Sequence, residues 1–239
     1  MLPRVLEAET LDHLEPDDPA AQRSRRDLRR INRIMGAREI LARALRGVGV
    51  ERHRGPLRIL EIGCGDGSLM LDVARRSGTA FGDAQLTLLD RQPIVSTDTI
   101  ALYAEAGWRV ETLVTDVLAW AADTQASRRW DLVVANLFLH HFEGDDLGQV
   151  LGAAALRADV FVACEPRRSR FALAASHLVG FIGANAVTRR DAVLSVRAGF
   201  VARELSKAWP GAADAWQLDE YEDGLFTHCF CALRKPSRR

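Results

Sequence analysis

From position 57 onward, short apolar runs alternate with longer stretches in which apolar residues recur every three or four positions. The runs read as buried strands and the longer stretches as helices packed on them, so their alternation predicts βαβ units around a parallel sheet. Strands are expected at 57–62, 85–89, 108–114, 132–135 and 160–163, and helices near 68–76, 97–106, 117–122 and 145–156. Two further strands, 200–205 and 226–233, close the chain with an irregular connection and no helix between them, which predicts an antiparallel pair. The expected class is α/β, a doubly wound, Rossmann-like sheet of seven mostly parallel strands.

Ahead of this pattern, 23–46 is rich in helix formers, and Leu28, Ile31, Met35, Ile40, Leu41, Ala44 and Leu45 form an apolar stripe at helical spacing. Arg23, Arg25, Arg26, Arg29, Arg30 and Arg33 share the opposite side and read as a solvated face. The acidic, proline-bearing stretch 12–19 reads as a mobile leader, and Gly47, Gly49, Gly55 and Pro56 as a linker. The division is therefore an N-terminal leader and helical cap over 1–55 and a main domain over 56–239. No repeat or low-complexity tract interrupts it.

Composition narrows this picture. The 239 residues suffice for one core with an extension. With 48% hydrophobic and 27% charged residues the chain has globular proportions. Thirty-two basic residues balance thirty-two acidic ones, so no net field draws a polyanion, and nucleic acid is not the expected partner. Cys64, Cys164, Cys229 and Cys231 have neither zinc-ribbon spacing nor the density of a disulfide scaffold, and read as buried thiols. No apolar run approaches the roughly 20 residues of a membrane span and no signal-peptide core precedes residue 10, so a cytoplasmic location is expected.

The chemistry concentrates at strand ends. The first strand runs into Glu61, Ile62, Gly63, Cys64, Gly65, Asp66 and Gly67 and then a helix, an order that brings backbone close to a ligand and aims unpaired N–H groups at it. A dinucleotide fingerprint would place its third glycine at Ser68, and a phosphate loop would need a lysine, so both readings fail. Glu61 can receive an ammonium group, Asp90 ends the second strand where it can accept from ribose hydroxyls, and Asp116 and Val117 follow the third strand. Either aspartate alone could be a helix N-cap. Together, E-x-G-x-G-x-G after strand one, an acid after strand two and an Asp after strand three resemble the class I S-adenosylmethionine-dependent methyltransferases over roughly 57–234. The resemblance implies S-adenosyl-L-methionine as cofactor, an antiparallel last strand, and a site in which Glu61, Gly63, Cys64 and Gly65 meet the methionine part, Asp90 and Arg91 the ribose side, and Asp116 and Val117 the adenine.

The fourth strand enters Asn136, Leu137, Phe138, Leu139, His140, His141 and Phe142, facing the crevice where strand order reverses. Methyl transfer leaves the protein to align the acceptor and take its proton, so His140 and His141 are the candidates for base or acceptor contact, with Asn136 touching the cofactor. In an extended segment the two histidines would point to opposite sides, leaving one for the acceptor. The pair resembles small-molecule O- and C-methyltransferases and lacks the N-P-P-[YF] form. No convergent carboxylate set suggests a metal.

After Glu165 and Pro166, a stretch at 171–182 with Phe171, Leu173, Leu178, Phe181 and Ile182 reads as a helical insertion over an aromatic or lipid-like acceptor, or equally as core or a homodimer surface. His177, Asn185, Thr188, Arg189 and His228 could add polar contacts. The expected function is methylation of a small, phenolic or polyketide-like O or C nucleophile. Two alternatives remain at this point: an RNA or protein methyltransferase docking through the basic helix, and a module that binds cofactor without turnover.

Overall fold

The computed structural model describes residues 2–49, 55–77, 81, 83–123, 128–211 and 215–236. The expected linker falls partly outside them, at 50–54.

Two helices come first, α1 (Pro19–Met35) and α2 (Ala37–Gly47). Asp18 caps α1 by accepting from Ala20 N at 2.6 Å, Pro19 fits the first turn, and Gly36 ends it at φ 69°. The alternating part then runs β1 (Arg58–Ile62), α3 (Ser68–Ser77), β2 (Gln85–Asp90), α4 (Thr97–Glu105), β3 (Arg109–Val114), α5 (Val117–Ala122), β4 (Trp130–Asn136), α6 (Gly144–Arg157) and β5 (Ala158–Pro166). After it come α7 (Arg170–Ser176), α8 (Ala186–Ala198), α9 (Glu204–Ala208), β6 (Trp216–Asp223) and β7 (Thr227–Arg234).

The seven strands form one sheet in the order β3-β2-β1-β4-β5-β7-β6, with β7 antiparallel to both neighbours. Alternate residues feed two cores. Ile59, Leu86, Leu132 and Val162 face α2, α3 and α4, whereas Leu60, Leu89, Val133 and Phe161 face α5, α6 and α9. Strand order reverses between β1 and β4, which opens a crevice at their carboxyl ends. No helix among the described residues is long and apolar enough to cross a membrane.

Three expectations need correction. Residues 200–205 are not a strand: Phe200 makes one isolated bridge to Arg167 and α9 follows, while β6 lies at Trp216–Asp223. In that strand only Trp216 is buried, the rest being half-buried or exposed, and Gln217, Asp219, Glu220, Glu222 and Asp223 are charged or polar, so its apolar signal is weak. The insertion is α7 and a separate 3₁₀ turn, Val179–Ile182, with the break between them at His177 and Leu178. The stretch 12–19 has a defined path, with Gln92 Nε2 donating to Leu14 O at 3.1 Å and Arg25 to Pro16 O at 2.8 Å; ahead of it Thr10 N and Leu11 N each donate to the Asp191 carboxylate at 2.9 Å, Arg4 donates to Phe142 O at 2.9 Å, and Val5 N to Arg197 O at 3.2 Å.

The cap and the insertion are stapled together by buried polar groups. Asp27 accepts from Asn185 N at 2.8 Å and faces the Arg30 guanidinium at 3.0 Å, and Ser24 Oγ meets Thr188 Oγ1 at 2.8 Å. Asn185 and Thr188 therefore hold α8 on α1 and do not reach an acceptor. His228 is likewise occupied, its Nε2 2.8 Å from the buried Glu220 carboxylate.

Candidate active site

A cavity of about 870 Å³ lies at the carboxyl ends of β1, β2, β3 and β4, roofed by the leader, α1 and the insertion. It stands at the upper end of the roughly 300–1,000 Å³ usual for ligand pockets, room for two ligands side by side. Glu61, Gly63, Cys64, Gly65, Asp90, Arg91, Asp116, Val117, Asn136, His140 and His141 all line it. His177, Asn185, Thr188, Arg189 and His228 do not.

The glycine loop is built around close approaches. Gly63 has φ 67°, and a Cβ there would sit 2.0 Å from the Phe138 ring, so this glycine lets Phe138 lie against the loop. Gly65 has φ 56° and open space where a Cβ would be, which leaves its backbone bare toward the cavity. Its N–H donates to Asp90 Oδ2 at 2.9 Å, and Gln92 N donates to Asp90 Oδ1 at 2.9 Å, so Asp90 ties β2 to the loop while burial raises its pKa. Cys64 is buried and its N–H donates to Leu89 O at 3.1 Å; burial first, then the surrounding acids, push its thiol far up, which makes it an inert wall. Asp116 caps α5, accepting from Leu118 N at 2.7 Å. Arg91 reaches across the mouth to Asp12, 3.5 Å between guanidinium and carboxylate.

Glu61 tests what the loop is made for. It is 3% exposed, Oε2 has no hydrogen-bond partner, and burial, reinforced by Asp66 and Asp90, raises its pKa to about 8. An orphaned buried carboxylate is costly unless a cation joins it. An ammonium-bearing nucleoside fits that demand, and a pyrophosphate would be repelled.

On the far wall, Leu137 adopts φ 51°, an unusual conformation for a leucine, and turns the chain out of β4 into the 3₁₀ turn Leu139–His141. Glu165, fully buried at the end of β5, holds this turn by accepting from Phe138 N at 3.1 Å, Leu139 N at 2.9 Å and His140 N at 3.3 Å. The turn corrects the expectation that the histidines point to opposite sides: their rings lie against each other at a tilt of 34°, with centroids 4.3 Å apart, and both line the cavity. His140 is pinned between two carboxylates, Nδ1 2.8 Å from Glu165 Oε2 and Nε2 3.4 Å from Glu9 Oε1. Burial alone would lower its pKa, but the bonds from Glu165 and Glu9 outweigh it and raise it to about 9. His141 faces Asp12 Oδ2 through Nδ1 at 3.3 Å, and burial together with the neighbouring imidazolium lowers its pKa. The two histidines therefore differ in charge at neutral pH.

Glu9, Asp12 and Glu165 escaped the sequence reading. Glu9 and Asp12 lie in the leader, about 130 residues from the histidines they meet, and only Glu165, an acid closing an otherwise apolar strand before Pro166, left a local trace. Ligand-type atoms of Glu9, His140 and His141 fall within 4.8 Å of one another, a convergence the sequence did not disclose. The proton on His140 already supplies the positive charge that Glu9 and Glu165 demand.

Residues 59–157 match the family described as methyltransferase domain. Among solved structures, the chain is similar to the plantazolicin methyltransferase BpumL in complex with SAH, at 12% identity and TM-score 0.62 over 92% of each chain. It is also similar to an O-methyltransferase family protein from Burkholderia thailandensis (16% identity, TM-score 0.60, 93% of this chain and 62% of that one). A third similar structure is magnesium protoporphyrin IX methyltransferase from Synechocystis PCC 6803 with bound SAM (13%, TM-score 0.52, 95% and 88%). At these identities the likeness is one of fold. No curated protein matches the sequence.

Proposed function

We propose that the chain is an S-adenosylmethionine-dependent methyltransferase that methylates an oxygen, or an activated carbon, of an apolar aromatic or polyketide-like small molecule held between the cofactor and the cap, a reading supported by the methyltransferase-domain match over residues 59–157. The observation that carries this reading is the pair of adjoining histidine rings, one imidazolium and one neutral, on the cavity wall.

The cofactor supplies an already activated methyl group on a positively charged sulfur. The residues' own work is to hold it and to prepare the acceptor. Glu61 takes the ammonium of its amino-acid end, Gly63, Cys64 and Gly65 present backbone to the same part, Asp90 accepts from the ribose, and Asp116 and Val117 meet the adenine. Asn136 sits between the two halves at the end of β4. Arg91, turned toward Asp12, closes the leader over the cofactor.

The acceptor lies against Leu28, Ile31, Met35, Val179, Ile182 and Phe226, which line the roof and far wall. With Nδ1–H directed at Asp12, His141 has its lone pair on Nε2 and takes the acceptor proton there. The fixed positive charge of His140 steadies the oxyanion that results. Glu9 and Glu165 hold that charge in place, and the leader and insertion exclude water from it. The need for a base favours oxygen over carbon.

Incubation with methyl-labelled cofactor and a panel of phenols and enolisable aromatic ketones should give a labelled O-methyl or C-methyl product, identified by mass spectrometry. Transfer confined to RNA or protein would overturn the proposal. So would cofactor binding with no transfer to any extract.

A further inference from the structure

The cavity opens through an apolar collar. Phe181 is 88% exposed, Ile34 65%, Leu225 58%, Phe171 57% and Leu178 56%, far from the scattered single exposures of an ordinary surface. Most of these side chains border the cavity or touch one that does. Ile34, Leu178 and Phe226 all line the cavity mouth, Phe171 stacks on Phe226 at 5.7 Å, and Leu225 and Phe181 are chain neighbours of collar residues.

The collar is set in a basic frame. Between Glu165 and Asp191 the chain has no acidic residue but five arginines, and α1 has six arginines against the single acid Asp27. The Arg189 side chain packs over Gly180, and Arg30 lies beside Gly183, so the guanidinium groups flank the 3₁₀ turn that carries Phe181. Asp27, Asp66 and Glu222 take up Arg30, Arg29 and Arg167, and Arg168 is buried against Glu204 and so is no part of the face. Among the described residues, no carboxylate lies within ion-pair distance of Arg33, Arg170, Arg189 or Arg190. The balanced overall charge thus conceals a basic face around an apolar mouth.

We propose that this face seats on an anionic lipid surface, with Phe181 and Leu178 entering the headgroup layer, so that an amphiphilic acceptor passes from the bilayer into the cavity without crossing water. Apolar tips ringed by arginine are the arrangement of an interfacial anchor, and no span is needed. The inference rests on the reading of the acceptor as an apolar small molecule, and it names the phase from which that acceptor comes.

The test is co-sedimentation of the full chain with vesicles of phosphatidylcholine alone or with 30% phosphatidylglycerol. Partition is expected into the anionic vesicles, weakening on raising salt from 50 to 300 mM. Phe181→Asp should lower it about tenfold or more, and Arg189→Ala with Arg190→Ala roughly twentyfold, since each cation near such a surface contributes about fivefold. Calorimetric affinity for S-adenosylhomocysteine should be unchanged in both variants, neither of which touches the cavity. Absence of partition into anionic vesicles overturns the proposal, as does a dimer in light scattering that Phe181→Asp dissociates. Vesicle binding without methyl transfer to any phenol would support the surface and overturn the acceptor reading instead.

Discussion

Glu61 is a buried carboxyl group with an unpartnered oxygen, and its titration reports directly on the glycine loop. Its pKa rises from the ordinary carboxylate value of 4.5 to about 8, so the folded chain binds a proton that the unfolded chain has lost. The sign follows: this group favours the ligand-free fold below about pH 4.5, and that contribution disappears as the pH climbs to about 8. Glu61→Gln should therefore stabilise the ligand-free protein relative to wild type increasingly across that window, on the order of a few kcal/mol at pH 8, as read by urea unfolding. The same variant should weaken S-adenosylmethionine binding by about tenfold to a hundredfold. Wild type at pH 7 should release a proton on binding, visible as a buffer-dependent calorimetric enthalpy. At the far wall, His141→Gln should lower kcat by about 10²–10⁴ with cofactor affinity unchanged. Because burial and the His140 charge lower the His141 pKa, the acid limb of kcat/KM should fall below the ordinary histidine value of 6.5. His140→Asn, which removes the neighbouring charge, should move that limb to higher pH; a limb that stays in place would remove His141 as the base.

At the scale of elements, the most informative piece is the leader. Its stretch 12–19 is acidic and proline-bearing, so the sequence presents it as mobile, yet the leader delivers Glu9 to His140 and Asp12 to His141 and Arg91. Two backbone N–H groups at Thr10 and Leu11 share the Asp191 carboxylate, and that is the hinge on which the segment hangs. Asp191→Asn should free it, seen as faster limited proteolysis between residues 2 and 14 and a parallel loss of turnover, with the sheet's amide protection unchanged. Strands and helices of the alternating part were legible because burial on one or two faces imprints a period of 2 or 3.6. β6 was not, because an edge strand can be built from residues as polar as Gln217, Asp219, Glu220 and Glu222. The histidine turn escaped for another reason: a backbone bend at Leu137 depends on Glu165 pulling three N–H groups together from the neighbouring strand, which no local pattern encodes.

For the whole molecule, the cavity lies at the junction of sheet, cap and insertion, so ligand binding should stabilise all three together. Saturating cofactor at 100 times its Kd contributes about 2.7 kcal/mol, enough to raise Tm by roughly 5–10 °C for a chain of this length. Gly65→Arg, which fills the loop at a positive φ, should abolish the rise; an undiminished thermal shift in that variant would move the cofactor elsewhere.

What the sequence determined by itself was the sheet and the ligand chemistry at its edge. Apolar periodicity, three strand-end acids and a glycine turn act over a few residues each, and local pattern is sufficient to write them. Tertiary structure decided how that chemistry is completed: which histidine is charged, which acids hold it, how the leader closes the site, and how an evenly charged chain gathers its arginines around an apolar mouth. Those properties arise from groups 25 to more than a hundred residues apart meeting at low dielectric, where burial and a neighbour's charge set protonation and only the folded chain brings them together.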